Sequence, residues 1–162
     1  MTITVRPAVP TDLPALIPLC HEMDVYYNGP EAVPTVEIRA ALERQVFAPQ
    51  ARVDLLVAEA EGRLLGFALA ATLFPAERWS PALFLKDIFV SAGARSGGVG
   101  RALMRAVARL ALSRGCSRIN WNTPRDNAGA LAFYEALAAR SWDSVVPMRI
   151  DGAALERLAG DA

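Results

Sequence analysis

The chain has 162 residues, 53% of them apolar, with 17 basic and 17 acidic side chains, a balance that describes one folded domain over residues 1–162 and not a disordered polymer. No bulk basic surface is present for nucleic acid, and two cysteines with one histidine provide neither a disulfide scaffold nor a zinc spacing, so no metal is expected. The opening MTITVRPAV lacks a secretory pattern, and charge breaks every apolar stretch before about eighteen residues, so the expectation is a cytoplasmic protein with no membrane and no nucleic-acid partner.

In chain order, Ile3 to Arg6 reads as a short strand, and Thr11 and Asp12 start a helix through LPALIPLCHEM. Pro14 fits an early helical turn, Pro18 is expected to bend or divide the helix, and Tyr26 to Pro34 is expected as a loop. A second helix, about Val36 to Phe47, places Ile38, Leu42 and Val46 near one face. DLLVAEA and RLLGFALAATLF form an antiparallel hairpin around Glu61 and Gly62. FPAERWSP then breaks the pattern with Pro75 and Pro81 before LFLKDIFV resumes as a strand.

ARSGGVG, residues Ala94 to Gly100, joins that strand to a helix with Val99, Leu103, Ala106, Val107 and Leu110 on one side. Arg101, Arg105 and Arg109 make an i,i+4 row that reads as a solvated face. RINWNTP is predicted as the next strand, Asn127 as the start of the helix AGALAFYEALAA, and SWDSVVPMRI as one or two edge strands. Strands and helices in this order give an α/β layered domain.

A glycine-rich turn opening onto a helix can hold phosphate with backbone N–H groups and no lysine. Gly97, Gly98 and Gly100 do not complete a dinucleotide G-x-G-x-x-G, because Leu103 follows. They do not make a nucleotide-triphosphate loop either, because Arg101 and Ala102 stand where lysine and serine or threonine belong.

Arg95-Ser96-Gly97-Gly98-Val99-Gly100 resembles instead the R-x-x-G-x-G pyrophosphate loop of the GNAT acetyltransferases. Asn120-Trp121-Asn122 and the run from Asn127 to Tyr134 resemble that family's second cofactor strand and its N-x-x-A-x-x-F-Y segment. The resemblance covers roughly residues 83 to 138 and implies the GNAT acyl-CoA N-acyltransferase fold, a mixed, mostly antiparallel central sheet flanked by helices. FPAERWSPALFLKDIFV and WNTPRDNAGALAFYEALAA are similar to the diamine and polyamine branch, which includes thialysine acetyltransferases.

What the resemblance implies is direct transfer of acetyl from acetyl-CoA to a primary amine of a small molecule, a diamine, polyamine or lysine-like compound. The backbone of Ile88, Phe89 and Val90 would run beside the pantetheine arm. Arg95, Ser96, Gly97, Gly98, Val99, Gly100 and Arg101 would take the pyrophosphate, with Arg95 closing over its charge. Tyr134 matches the family's general acid for the leaving thiolate, and Asn127, seven residues earlier, serves as helix cap, cofactor contact or both.

On the acceptor side the resemblance points to Glu22, Asp24, Tyr26, Tyr27, Glu77 and Trp79, with Phe74 beside Trp79 as an aromatic wall or as hairpin packing. In Leu85-Lys86-Asp87 a lysine stands where polyamine acetyltransferases typically carry glutamate. Lys86 repels a free cationic amine and favours an acceptor bearing a carboxylate, or else marks reduced activity. Asp87 matches a family aspartate, but strict strand alternation sends it to the face opposite Lys86. A possible homodimer follows from the resemblance, while an antibiotic or other xenobiotic acceptor, and a non-catalytic CoA-binding regulatory module, are the competing readings.

Overall fold

In the computed structural model, which describes residues 2–160, alternating apolar residues build one five-stranded sheet. Its strands are β1 (Thr4–Pro7), β2 (Val53–Ala60), β3 (Arg63–Leu73), β4 (Ala82–Val90) and β5 (Ile119–Asn120), in the order β1-β2-β3-β4-β5. The first four pair antiparallel and β5 joins β4 parallel, the mixed and mostly antiparallel sheet expected of the acyltransferase fold. The helices of the same unit are α1 (Leu13–Asn28), α2 (Thr35–Gln45) and α3 (Val99–Ser113).

Two compact units divide the chain, Met1–Asn122 and Thr123–Ala162. In the first, one face of the sheet offers Leu55, Val57, Phe67 and Phe89 to Leu16 and Leu19 of α1. The opposite face offers Leu56, Ala58, Ala68 and Leu85 to α3, whose Leu103 reaches the backbone of Gly66. Leu16, Val57, Leu83, Leu103 and Val107 are fully buried, each stabilising the fold by about 1.5–3 kcal/mol relative to an exposed side chain. Arg101, Arg105 and Arg109 are exposed, the solvated face read from their spacing.

Gly66 sets the distance between β3 and β4. A Cβ there would strike the Phe89 carbonyl oxygen and lie 3.2 Å from the Val90 Cα. Gly66→Ala is therefore expected to destabilise the protein by about 1–3 kcal/mol through overpacking. Urea melts that superimpose on the wild type would contradict this role.

Four expectations are corrected. α1 runs unbroken through Pro18 to Asn28, because Pro14 and Pro18 both lie on the exposed side, where water can satisfy the carbonyl that Pro18 deprives of its bond. Tyr26 and Tyr27 thus sit on the last helical turns instead of in a loop, and Gly29, at φ 55°, ends the helix. The strand expected over RINWNTP shrinks to Ile119–Asn120, which pairs only with Leu83 and Phe84. No strand forms in SWDSVVPMRI among the described residues; Pro147 lacks the N–H a ladder needs, and Trp142, Val146 and Met148 stay exposed.

Charge closes the sheet's outer edge. Arg6 donates to both Asp12 oxygens, at 2.7 and 2.9 Å, and to Glu59 at 2.8 Å, while Asp12 also accepts from the Val9 N–H. The Arg6 hydrogen bonds, opposed by partial burial, hold the Asp12 carboxyl below the usual carboxylate range. A carboxyl lowered in the folded state contributes stability that is present above its unfolded pKa and is lost as pH falls through its folded one. Arg6→Met is expected to cost about 1 kcal/mol at pH 7, and that deficit is expected to shrink below about pH 4. Equal deficits at pH 7 and pH 3 in thermal melts would contradict it.

Candidate functional site

The glycine-rich turn leaves a helix start without a side-chain cap. Gly98 is the residue before α3 and adopts φ 84°, and no side chain bonds the first-turn amides. Ser96 also has a positive φ, 63°. With the Ala102 N–H already bonded to the Gly98 carbonyl, the N–H groups of Val99, Gly100 and Arg101 lie in the turn where a helix has no carbonyls of its own to offer. Val99 is buried as an anchor while Gly97 and Gly98 are exposed. Such a cradle, carrying the positive end of the helix dipole, fits a diphosphate.

Immediately before it, β4 presents a bare edge. β5 pairs only with Leu83 and Phe84, so no strand among the described residues pairs with Ile88, Phe89 and Val90 on that side. The Phe89 carbonyl faces Gly66 of β3 and the Val90 carbonyl accepts from Arg95 Nε, so the peptide groups of this stretch that point away from β3 and lack such a partner are the ones that can bond an extended amide-bearing arm as a strand would.

Within β4 the register slips. Asp87 pairs with Leu69 and Leu85 with Ala70, which makes Lys86 the extra residue of a β-bulge. Strict alternation therefore fails where it was applied. Asp87 shares the α1 face with Phe89, and Lys86 Nζ lies 3.5 Å from Asp87 Oδ2. Burial pushes the Asp87 carboxyl above the usual range, and Lys86 pulls it back.

Across from Asp87 stand Cys20 and Tyr27 of α1. The Cys20 thiol is pushed up to about 12, chiefly by burial and then by Asp87, which leaves it no thiolate for nucleophilic work. Tyr27 is 55% exposed over the whole residue, yet partial burial leads the causes that raise its hydroxyl, followed by Asp87 and Tyr26, with Arg95 opposing. Cys20 was not among the expected site residues. Its seven-residue spacing from Tyr27 on one helical face was the available signal.

The remaining acidic candidates have other partners. Glu22 accepts from Ser91 Oγ and from the Ala92 N–H, both at 2.8 Å, fastening α1 to the turn that follows β4. Asp24 accepts from Asn28 Nδ2 and from the Val33 N–H, and His21 Nδ1 lies 3.2 Å from the Val33 carbonyl. Glu77 is 3.9 Å from Arg118 on an exposed loop. Trp79, 77% exposed, leans on Phe74 with ring centroids 5.8 Å apart.

In the second unit, Asn127 caps α4 (Ala128–Glu135), its Oδ1 accepting from the Ala130 N–H at 3.0 Å. Tyr134 lies on α4 beside Phe133, with ring centroids 5.3 Å apart. The unit ends in α5 (Gly152–Gly160).

A sequence model of the Acetyltransferase (GNAT) family matches residues 19–138. The chain belongs to the GNAT acetyltransferase family. Among its GNAT relatives, the L-ornithine N5-acetyltransferase NATA1 of Arabidopsis thaliana is 29% identical over 72% of this chain and 48% of its own length. The thialysine N-epsilon-acetyltransferase of Sus scrofa is 33% identical over 48% of each chain. The chain thus spans about half the length of these curated relatives. A solved structure, the integron cassette protein VCH_CASS6 from the mobile metagenome of V. cholerae, superposes with a TM-score of 0.91 at 30% identity, covering 98% of both chains. No described helix of this GNAT chain is long and apolar enough to cross a membrane, and no cluster of candidate metal ligands occurs among the described residues.

Proposed function

We propose that this chain is an acetyl-CoA-dependent N-acetyltransferase acting on a primary amine of a small molecule that also carries a carboxylate, as ornithine and lysine-like diamino acids do. The observation that supports it best is the uncapped start of α3 following directly on the bare β4 edge, in a chain of the GNAT family. Acetyl-CoA supplies a thioester carbonyl for the amine to attack. The amides of Gly97 to Arg101 hold its phosphates, and the backbone of Ile88 to Val90 aligns the arm and donates to the developing oxyanion.

Asp87 is the acid that fits the amine. Half-buried and with its carboxyl raised, it attracts an ammonium and accepts the proton that must leave nitrogen before or as the C–N bond forms. As the C–S bond breaks, Tyr134 gives its hydroxyl proton to the sulfur and is restored by the second proton, which the acylated nitrogen sheds. N-acetyl amine and CoA thiol are the products. Lys86, 67% exposed at its side chain, offers an ammonium to an acceptor carboxylate, and the L-ornithine and thialysine acetyltransferases among the relatives agree with that class. Tyr26, Tyr27 and Trp79 contribute the aromatic wall.

The match across residues 19–138 supports both units serving one catalytic domain, and the need for acetyl-CoA supports a cytoplasmic setting. The homodimer implied by the resemblance gains support from exposed Trp142, Val146 and Met148. Calorimetric titration with CoA tests the foundation of this reading. Saturable binding is expected, and a flat titration would contradict it.

A further inference from the structure

We propose that Arg95 is a positioning residue for the acceptor side of the site, and not the clamp on the cofactor's phosphates that its place in the R-x-x-G-x-G motif implies. The proposal rests on the acetyltransferase reading above. The Arg95 guanidinium carbon lies 5.4 Å from the Tyr26 ring centroid and 5.9 Å from that of Phe89. Its Nε donates to the Val90 carbonyl at 3.2 Å. All three contacts turn the side chain back along β4, toward the face that carries α1.

A guanidinium suits this seat because it is planar and weakly hydrated, so it can lie against aromatic faces while a fixed N–H sets its orientation. The three contacts occupy the Nε and the faces of the guanidinium, a seat built wholly from protein groups on β4 and α1. An anion at the start of α3 has the uncapped first-turn amides of Val99, Gly100 and Arg101 to bind it. Backbone thus takes the phosphate charge, and the Arg95 side chain holds the last turns of α1.

Phe89 lies in the same apolar cluster as Leu16 and Leu19 of α1, so Arg95 bridges a fixed ring on β4 to a half-exposed one on the helix. Tyr26 in turn meets Tyr27 edge to face, with centroids 5.0 Å apart. Glu22 adds a second tie, binding α1 to Ser91 and Ala92 of the same turn. The cofactor turn and the acceptor-side tyrosines are in this way one mechanical piece, and Arg95 sets where Tyr26 stands.

Arg95→Gln, Tyr26→Leu and the double variant test this by CoA calorimetry, steady-state kinetics on the amine and thermal melting. Arg95→Gln is expected to leave the CoA Kd within about threefold of wild type, and either single change to raise the amine KM about tenfold, with the double no worse than the worse single. A CoA Kd raised tenfold or more by Arg95→Gln with an unchanged amine KM would overturn the proposal, as would single effects on KM that multiply in the double. Should wild-type protein bind no CoA, the acetyltransferase reading fails on its own, and the melting cycle still decides the brace. Non-additive losses of Tm support it, and additive losses end it.

Discussion

Tyr134→Phe is expected to lower kcat for acetyl transfer by about 10²- to 10⁴-fold, the range by which a positioned proton donor accelerates a step. The change removes one hydroxyl and keeps the ring that lies beside Phe133, so α4 and its Asn127 cap should persist. CoA affinity is expected to stay near the wild-type value, since the phosphate cradle and the β4 edge are built from other residues. Loss of kcat with retained CoA binding would assign the hydroxyl to protonation of the leaving sulfur. A kcat within about threefold of wild type would remove Tyr134 from the chemistry.

Lys86→Glu is expected to invert acceptor preference. Two unit charges about 4 Å apart interact by roughly 4 kcal/mol at the effective dielectric of a protein surface, and the exposure of Lys86, 67% at its side chain, cuts that considerably. About tenfold is a reasonable effect on each acceptor: loss for an amine bearing a carboxylate, gain for a diamine without one. The ratio of kcat/KM for L-ornithine over putrescine should therefore swing about a hundredfold. An unchanged ratio would mean that Lys86 does not meet the acceptor and that its contact with Asp87 is its whole role.

Much of this architecture was legible from residue pattern. The hairpin around Glu61 and Gly62, the apolar side of α3 and the cap at Asn127 follow from periodicities and residue chemistry that act locally, and all three stand in the structure. The glycine-rich loop was legible because backbone geometry demands glycine at positive φ, as at Gly98. What the sequence could not reveal depended on contacts between distant segments. Lys86 and Asp87 were assigned opposite faces because alternation is a local rule, and the bulge that overrides it is a matter of register against Leu69 and Ala70.

Arg95 illustrates the same limit. Its motif announces a cation beside a phosphate cradle, but Tyr26, sixty-nine positions earlier, lies within reach only because α1 continues past the segment expected as a loop. Glu22, an acceptor-side candidate by resemblance, bonds Ser91 and Ala92 about seventy positions away, a contact that no local pattern announces. The apolar residues of SWDSVVPMRI mimicked a strand, although strand formation needs a neighbouring edge as well as composition.

The decisive measurement is mass analysis of products after the purified protein is incubated with acetyl-CoA and, separately, L-ornithine, thialysine, lysine, putrescine and spermidine, with Tyr134→Phe protein alongside. An N-acetylated product is expected, formed fastest from the acceptors that carry a carboxylate and nearly absent with the variant. Demonstrated CoA binding with no acetylated product from any of these amines would contradict the assignment of Asp87, Lys86 and Tyr134 to amine acetylation.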